Sequence, residues 1–422
     1  MTRARRLLAV ACSVVAMVAA MTGTASATND TYFARQWALD QIHAAQAWTR
    51  STGAGITIGI VDTGVDLNHP DLVGKIAATA DCVGHPCTVG GGQDTHGHGT
   101  IVSGIAAAST GNGRGIAGVA PDARLAVAKV LNSNGEGRVD DINNGIRWVV
   151  DNGAKVVNLS LGDPNFQVSS VLGSPLRSGI EYAWSRGAVP VLASGNYAAA
   201  GDLGTENYGN LDALVVGATD KSGNVPSYSS AAGNAKWGLV APGGSGTGGA
   251  DENVISTFPV GTNGTGYASA AGTSMAAPHV SGAIALLLAQ GMTPTAAVNR
   301  LLSTLNKSTP CGRGCQGRLD LAAAVGADNA PVTTAPAPPT TARTTVPRSP
   351  TTTKPRSTTT TSPSAPTTVT TVPAAPAKPG PPADPSQLAG PLPVVVGATS
   401  SSSSPSAPGP TLAGTAIGLV LI

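Results

Sequence analysis

Gly272-Thr273-Ser274-Met275-Ala276-Ala277-Pro278-His279 sets one serine in a small-residue turn directly ahead of an apolar, helix-like run over 280–289. A helix starting there presents the Ser274 hydroxyl at its open end. The first backbone N–H groups have no partner within the helix and can face an incoming carbonyl oxygen. A serine nucleophile is displayed this way, but a Gly-Thr-Ser turn before Pro and an apolar run is also an ordinary helix start. The choice depends on what lies upstream.

Two upstream stretches supply partners. Ile56-Thr57-Ile58-Gly59-Ile60-Val61-Asp62-Thr63-Gly64-Val65 is a β-branched apolar run that reads as a buried parallel strand ending in an acid. An Asp at a strand's C-terminal end, followed by Gly, stands where open α/β sheets place their ligands. In Asp94-Thr95-His96-Gly97-His98-Gly99-Thr100 glycines flank a histidine, and the small apolar run at 101–106 suits a helix packed on the sheet. Either His96 or His98 can serve as the base. Further strands are expected at 125–130, 155–159, 189–193 and 214–218, with helical patterns at 139–152 and 176–186. This alternation predicts an α/β fold with a parallel sheet.

Asp62-Thr63-Gly64, His98-Gly99-Thr100 and Gly272-Thr273-Ser274-Met275-Ala276 resemble the three signature blocks of the subtilisin family of serine peptidases, in that family's Asp, His, Ser order. The resemblance implies a three-layer fold over 28–326, its mostly parallel sheet flanked by helices. It also implies a triad that hydrolyses peptide bonds through an acyl-enzyme. Ser274 Oγ would attack the carbonyl, His98 would move the proton and Asp62 would hold the imidazole. Asn196, in Val189-Pro190-Val191-Leu192-Ala193-Ser194-Gly195-Asn196, matches the family's oxyanion donor. Two segments match the family's walls for an extended substrate, Asn134-Gly135-Glu136-Gly137 and Ser160-Leu161-Gly162. Gly135, Gly137, Ser160, Leu161 and Gly162 would pair through their main chain with protein or peptide substrates, and no catalytic cofactor is implied. Asp163-Pro164 and Glu206-Asn207-Tyr208 depart from the usual pattern beside the P1 pocket, so its preference stays open. The competing function class is an inactive, wall- or membrane-tethered binding module that kept the fold.

The stretch from Asn29 to Trp37, with Ile42 and Gln46-Ala47-Trp48, is similar to the mature N-terminus of thermitase-like members. That likeness implies a structural calcium ion (Ca2+) held by Asp30, Asp71 and Asn112. Two carboxylates plus amide and backbone oxygens suit a hard cation, whereas solvated loop acids beside Arg114 are the plainer reading.

Residues 1–27 combine Arg3, Arg5 and Arg6, an apolar run and Ala25-Ser26-Ala27, the features of a secretory signal peptide. Its removal leaves Cys82, Cys87, Cys311 and Cys315, two close pairs suited to disulfides in an oxidising compartment, though three pairings exist. Over 327–410 Thr, Pro and Ser dominate, a composition that cannot bury a core and reads as a disordered linker or O-glycosylated stalk. The hydrophobic segment 411–422 would span about 18 Å as a helix against about 30 Å of hydrocarbon. It resembles the start of a mycosin-type C-terminal anchor, and with the stalk it points to cell-wall or membrane association. A formal net charge of +2, with no basic cluster on the catalytic region, argues against nucleic acid as a partner.

Overall fold

The apolar run at 56–62 forms the central strand of a sheet built almost wholly from parallel neighbours. In the computed structural model, residues 28–162, 174–198 and 208–327 are described, with the backbone of two short strands at 394–396 and 418–421. The expected signal peptide, nearly all of the expected linker, Asp163-Pro164 and Glu206-Asn207 lie outside the described residues. In chain order the strands are β1 (Thr57–Asp62), β2 (Ile76–Asp81), β3 (Thr88–Val89), β4 (Arg124–Lys129), β5 (Glu136–Arg138), β6 (Val156–Leu159), β7 (Leu161–Gly162) and β8 (Val189–Ala193). They continue as β9 (Leu214–Thr219), β10 (Trp237–Pro242), β11 (Val254–Thr257), β12 (Tyr267–Ala271), β13 (Cys315–Arg318), β14 (Val394–Val396) and β15 (Gly418–Leu421). The main sheet has nine strands in the order β13-β10-β9-β8-β6-β1-β4-β2-β3, antiparallel only at the β2–β3 end.

Side chains alternate across the sheet because successive Cβ atoms point to opposite faces. Ile58 and Ile60 of β1 pack with Val102, Ala106, Val280 and Ile284, from helices His98–Ala107 and Thr273–Ala289. Val61 packs on the opposite face with Ile142, Ile146 and Val149 of helix Val139–Asp151, and helix Arg177–Ser185 adds Ile180 to that layer. The result is the expected three-layer architecture, with a separate apolar core on each face of the sheet. Each fully buried aliphatic side chain contributes about 1.5–3 kcal/mol, so these two layers supply most of the driving force. Gly59 shows how closely the second layer approaches, since a Cβ there would stand 2.7 Å from Val149.

The expected strands and helices appear with ends shifted by a residue or so. The sequence reading missed β2, β10, β13 and the antiparallel pair β11–β12. β2 is rich in alanine and β10 ends in Pro242, so neither carries the β-branched run that marked β1 and β8. Cys82 bonds Cys87 and Cys311 bonds Cys315, the local pairing. Among the described residues no helix is long and apolar enough to cross a membrane.

Candidate active site

β1 ends in Asp62, which is fully buried, and His98 opens the His98–Ala107 helix. His98 Nδ1 lies 2.8 Å from Asp62 Oδ1, and Thr63 N–H donates to the same oxygen at 2.7 Å. Gly97 caps the helix with φ at 108°, and a Cβ on it would run into Phe258. His96 is the other candidate base. Its ring centre is 6.4 Å from that of His98, and first burial, then the charge of His98, pushes its proton affinity below the ordinary histidine value. The short contact to Asp62 is made by His98.

One buried carboxylate binds this region together. Asp94 Oδ1 accepts from Thr63 Oγ1 at 2.9 Å, His96 N at 2.9 Å and Gly97 N at 2.8 Å. Its Oδ2 accepts from Thr100 N at 2.9 Å and Thr100 Oγ1 at 2.6 Å, while Gly99 N donates to Thr63 Oγ1 at 2.9 Å. The residue after Asp62 and the turn around His98 therefore share one anchor. Beneath them Lys129 Nζ donates to the carbonyls of Thr63 at 2.8 Å and Leu131 at 2.9 Å, and burial lowers its proton affinity. Sequence reasoning quoted Asp94 within the His98 motif but gave it no role. Its position at the start of a glycine-flanked turn, where a carboxylate can collect backbone N–H groups, was the available signal.

The third stretch forms the Thr273–Ala289 helix, which packs against the His98–Ala107 helix. Ser274 is its second residue and is fully buried, with Oγ donating to Ser160 O at 3.1 Å. His98 Nε2 is buried and makes no hydrogen bond, so in this state the hydroxyl points to the strand wall rather than to the imidazole. Such contacts often tighten only with substrate in place. Asn196 follows β8, and its Oδ1 accepts from Thr273 N and Thr273 Oγ1, each at 3.0 Å. That fixes the carboxamide with its NH2 end turned away from Thr273, beside the first turn of the serine helix.

The two expected substrate segments become strands. Gly137 lies in β5, with Gly135 in the preceding turn at φ 78°, while Leu161 and Gly162 form β7 directly after Ser160. β15 runs antiparallel between them, pairing Leu419 with Gly137, Val420 with Glu136 and Gly162, and Leu421 with Leu161. β5 and β7 are thus opposite walls of a slot one strand wide.

Asp30, Asp71 and Asn112 do come together, but as donors and acceptors. Asp30 Oδ2 and Oδ1 accept from Gly111 N at 2.9 Å and Asn112 N at 3.0 Å. Asp71 Oδ1 accepts from Asn112 Nδ2 at 2.9 Å, and its Oδ2 accepts from Ile116 N and Tyr267 Oη, each at 3.0 Å. Asn112 Oδ1 is turned to Arg114 N at 2.8 Å. Every carboxylate oxygen faces a hydrogen-bond donor and Asn112 offers Asp71 its NH2, so this arrangement does not fit a calcium ion. Among the described residues no group of three or more His, Cys, Asp or Glu could hold a metal. In this arrangement hydrogen bonds fasten the N-terminal arm, with Asp30 and Asp71 both accepting from the loop at 111–116.

The pattern of the subtilase family, peptidase family S8, matches residues 53–331. Thermitase of Thermoactinomyces vulgaris is 41% identical over 264 residues, covering 62% of this chain and 86% of that protein. Subtilisin Savinase of Lederbergia lenta is 41% identical over 253 residues, 60% of this chain and 83% of that one. Among solved structures, a protease from Pseudoalteromonas arctica PAMC 21717 aligns with a TM-score of 0.62 and 30% identity, over 71% of this chain and 99% of its own. With the parallel sheet and the signature blocks already in place, the chain belongs to the subtilase family and is a serine endopeptidase.

Proposed function

We propose that this peptidase is secreted and cleaves peptide bonds in extended segments of protein, with Ser274 as nucleophile, His98 as base and Asp62 as the group that orients His98. The observation that carries the assignment is the 2.8 Å contact from His98 Nδ1 to Asp62 Oδ1, made between two buried side chains at the C-terminal end of central strand β1, beside the serine helix. With Nδ1–H held by Asp62, Nε2 is the nitrogen free to take the Ser274 proton. Attack forms a C–O bond from Ser274 Oγ to the scissile carbon, and the proton passes through His98 to the leaving amine as the C–N bond breaks. Water, activated by His98, then cleaves the acyl-enzyme. Asn196 Nδ2 and the Ser274 N–H at the helix start would hold the oxyanion. A peptide would add as the strand between β5 and β7, where β15 of the chain itself runs, so recognition is mainly through backbone. Residues 1–27 would direct export, and the 327–410 stalk with 411–422 would tether the enzyme to wall or membrane.

A fluorophosphonate probe tests the assignment. Labelling of the purified protein should vanish in Ser274→Ala. Peptide hydrolysis should fall by about 10⁶-fold in Ser274→Ala or His98→Ala, the loss typical of a subtilisin triad, and remain largely intact in His96→Ala. Loss in His96→Ala with activity kept in His98→Ala would show that the base is His96.

A further inference from the structure

Pro278 lies inside the Thr273–Ala289 helix, four residues after Ser274. A residue at that position normally donates its N–H to the Ser274 carbonyl, but proline has no N–H to give. The buried carbonyl therefore needs a donor from elsewhere. Ser160 Oγ supplies it at 2.8 Å, and Ser274 Oγ donates back to Ser160 O at 3.1 Å.

The direction of the Ser160 hydroxyl is set from behind. Asn158 Nδ2 donates to Ser160 Oγ at 2.9 Å, and Ser281 Oγ donates to Asn158 Oδ1 at 2.8 Å. With Asn158 occupying an acceptor site on Ser160 Oγ, the hydroxyl hydrogen is directed to Ser274 O. Asn158, Ser160, Ser274 and Ser281 are all 0% exposed, so bulk water does not compete for these groups. Asn158 and Ser160 stand two apart along one extended segment, which places both side chains on the same face, toward the helix.

We propose that the Ser160 side chain is a positioning residue for the nucleophile, paired with Pro278. The proline opens the first turn of the serine helix by withholding one N–H. Ser160 closes it again from the substrate wall, so the orientation of Ser274 is tied to the strand that receives the peptide. The clamp rests on Ser274 being the nucleophile. It gives Ser160 a side-chain role separate from any main-chain pairing with substrate.

The test is a double-mutant cycle on the full chain with Ser160→Ala and Pro278→Ala, read as kcat, KM, the rate of fluorophosphonate labelling and the thermal midpoint. Ser160→Ala should lower kcat and labelling by about tenfold or more while KM moves less than about threefold, because orientation is what is lost. Pro278→Ala restores a helical N–H for the Ser274 carbonyl. Added to Ser160→Ala, it should recover at least about threefold in labelling and part of the lost midpoint, a coupling that unrelated packing losses do not produce. Singles whose losses simply multiply in the double variant would overturn the clamp, as would Ser160→Ala labelling at the wild-type rate. If Ser160→Ala alone fails to fold, a folded double variant supports the clamp and an unfolded one removes it. A wild-type protein that the probe never labels would sink the choice of nucleophile instead. The coupling in thermal midpoints would still decide the clamp.

Discussion

Asn196 shows how a single side chain acquires direction. Its Oδ1 is held by two donors of Thr273, so the carboxamide cannot turn over without breaking both bonds. A donor fixed in this way strengthens its bond as charge develops on the carbonyl oxygen, which lowers the barrier more than it tightens substrate binding. Asn196→Ala should therefore lower kcat by about 10²–10³ with KM changed only a few fold, in steady-state hydrolysis of a chromogenic peptide. A variant within fivefold of wild-type kcat would remove Asn196 from the oxyanion site.

The serine helix carries a histidine that no catalytic step uses. His279 is buried in the middle of the helix, with Nδ1 2.8 Å from Met275 O. Burial pushes its pKa down to about 4, against the smaller opposing pull of the Met275 carbonyl. The unfolded chain, with a histidine pKa of about 6.5, binds a proton in the window between the two values while the folded helix does not. Stability from this residue is therefore full above about pH 6.5 and is lost as the pH falls toward 4, by about 3 kcal/mol in all. Urea midpoints for wild type and His279→Asn at both pH values check this. The variant should lose less stability on acidification by roughly that amount, and equal losses would contradict it.

Across the whole molecule, the N-terminal arm is fastened to elements far away in sequence. Asp71 receives donors from Asn112, Ile116 and Tyr267, the Tyr32 and Tyr267 rings pack at a 60° tilt with centres 5.2 Å apart, and Gln36 exchanges hydrogen bonds of 2.7 and 2.8 Å with Ala117. Asp71→Ala strands several buried donors at once, at about 1–3 kcal/mol for each left unpaired. It should lower the thermal midpoint by several degrees and expose the arm to proteolysis near Asn29. The drop should be the same in excess calcium as in chelator. A loss confined to calcium-containing buffer would mean that the Asn112 amide turns its oxygen inward and the three residues bind the ion after all.

Strands β1, β4, β6, β8 and β9, the main helices packed on them and the serine, histidine and acid blocks were legible because each is written within a short window. β-branched runs made β1 and β8 visible, and glycine-flanked motifs marked Asp62, His98 and Ser274. The Ser160–Ser274 exchange spans 114 positions and the Asn196–Thr273 grip spans 77, so neither pairing is written in any local pattern. Both exist because the sheet places β6 beside β8 and beneath the serine helix, bringing those side chains into contact. The same limit applies to the calcium expectation. Sequence brought Asp30, Asp71 and Asn112 to one place, but whether an amide presents oxygen or nitrogen there is decided by which backbone N–H groups the folded loop turns toward it. Residue type is local, whereas the partner of a buried polar group is selected by packing, because each must find whichever donor or acceptor the finished fold leaves within reach.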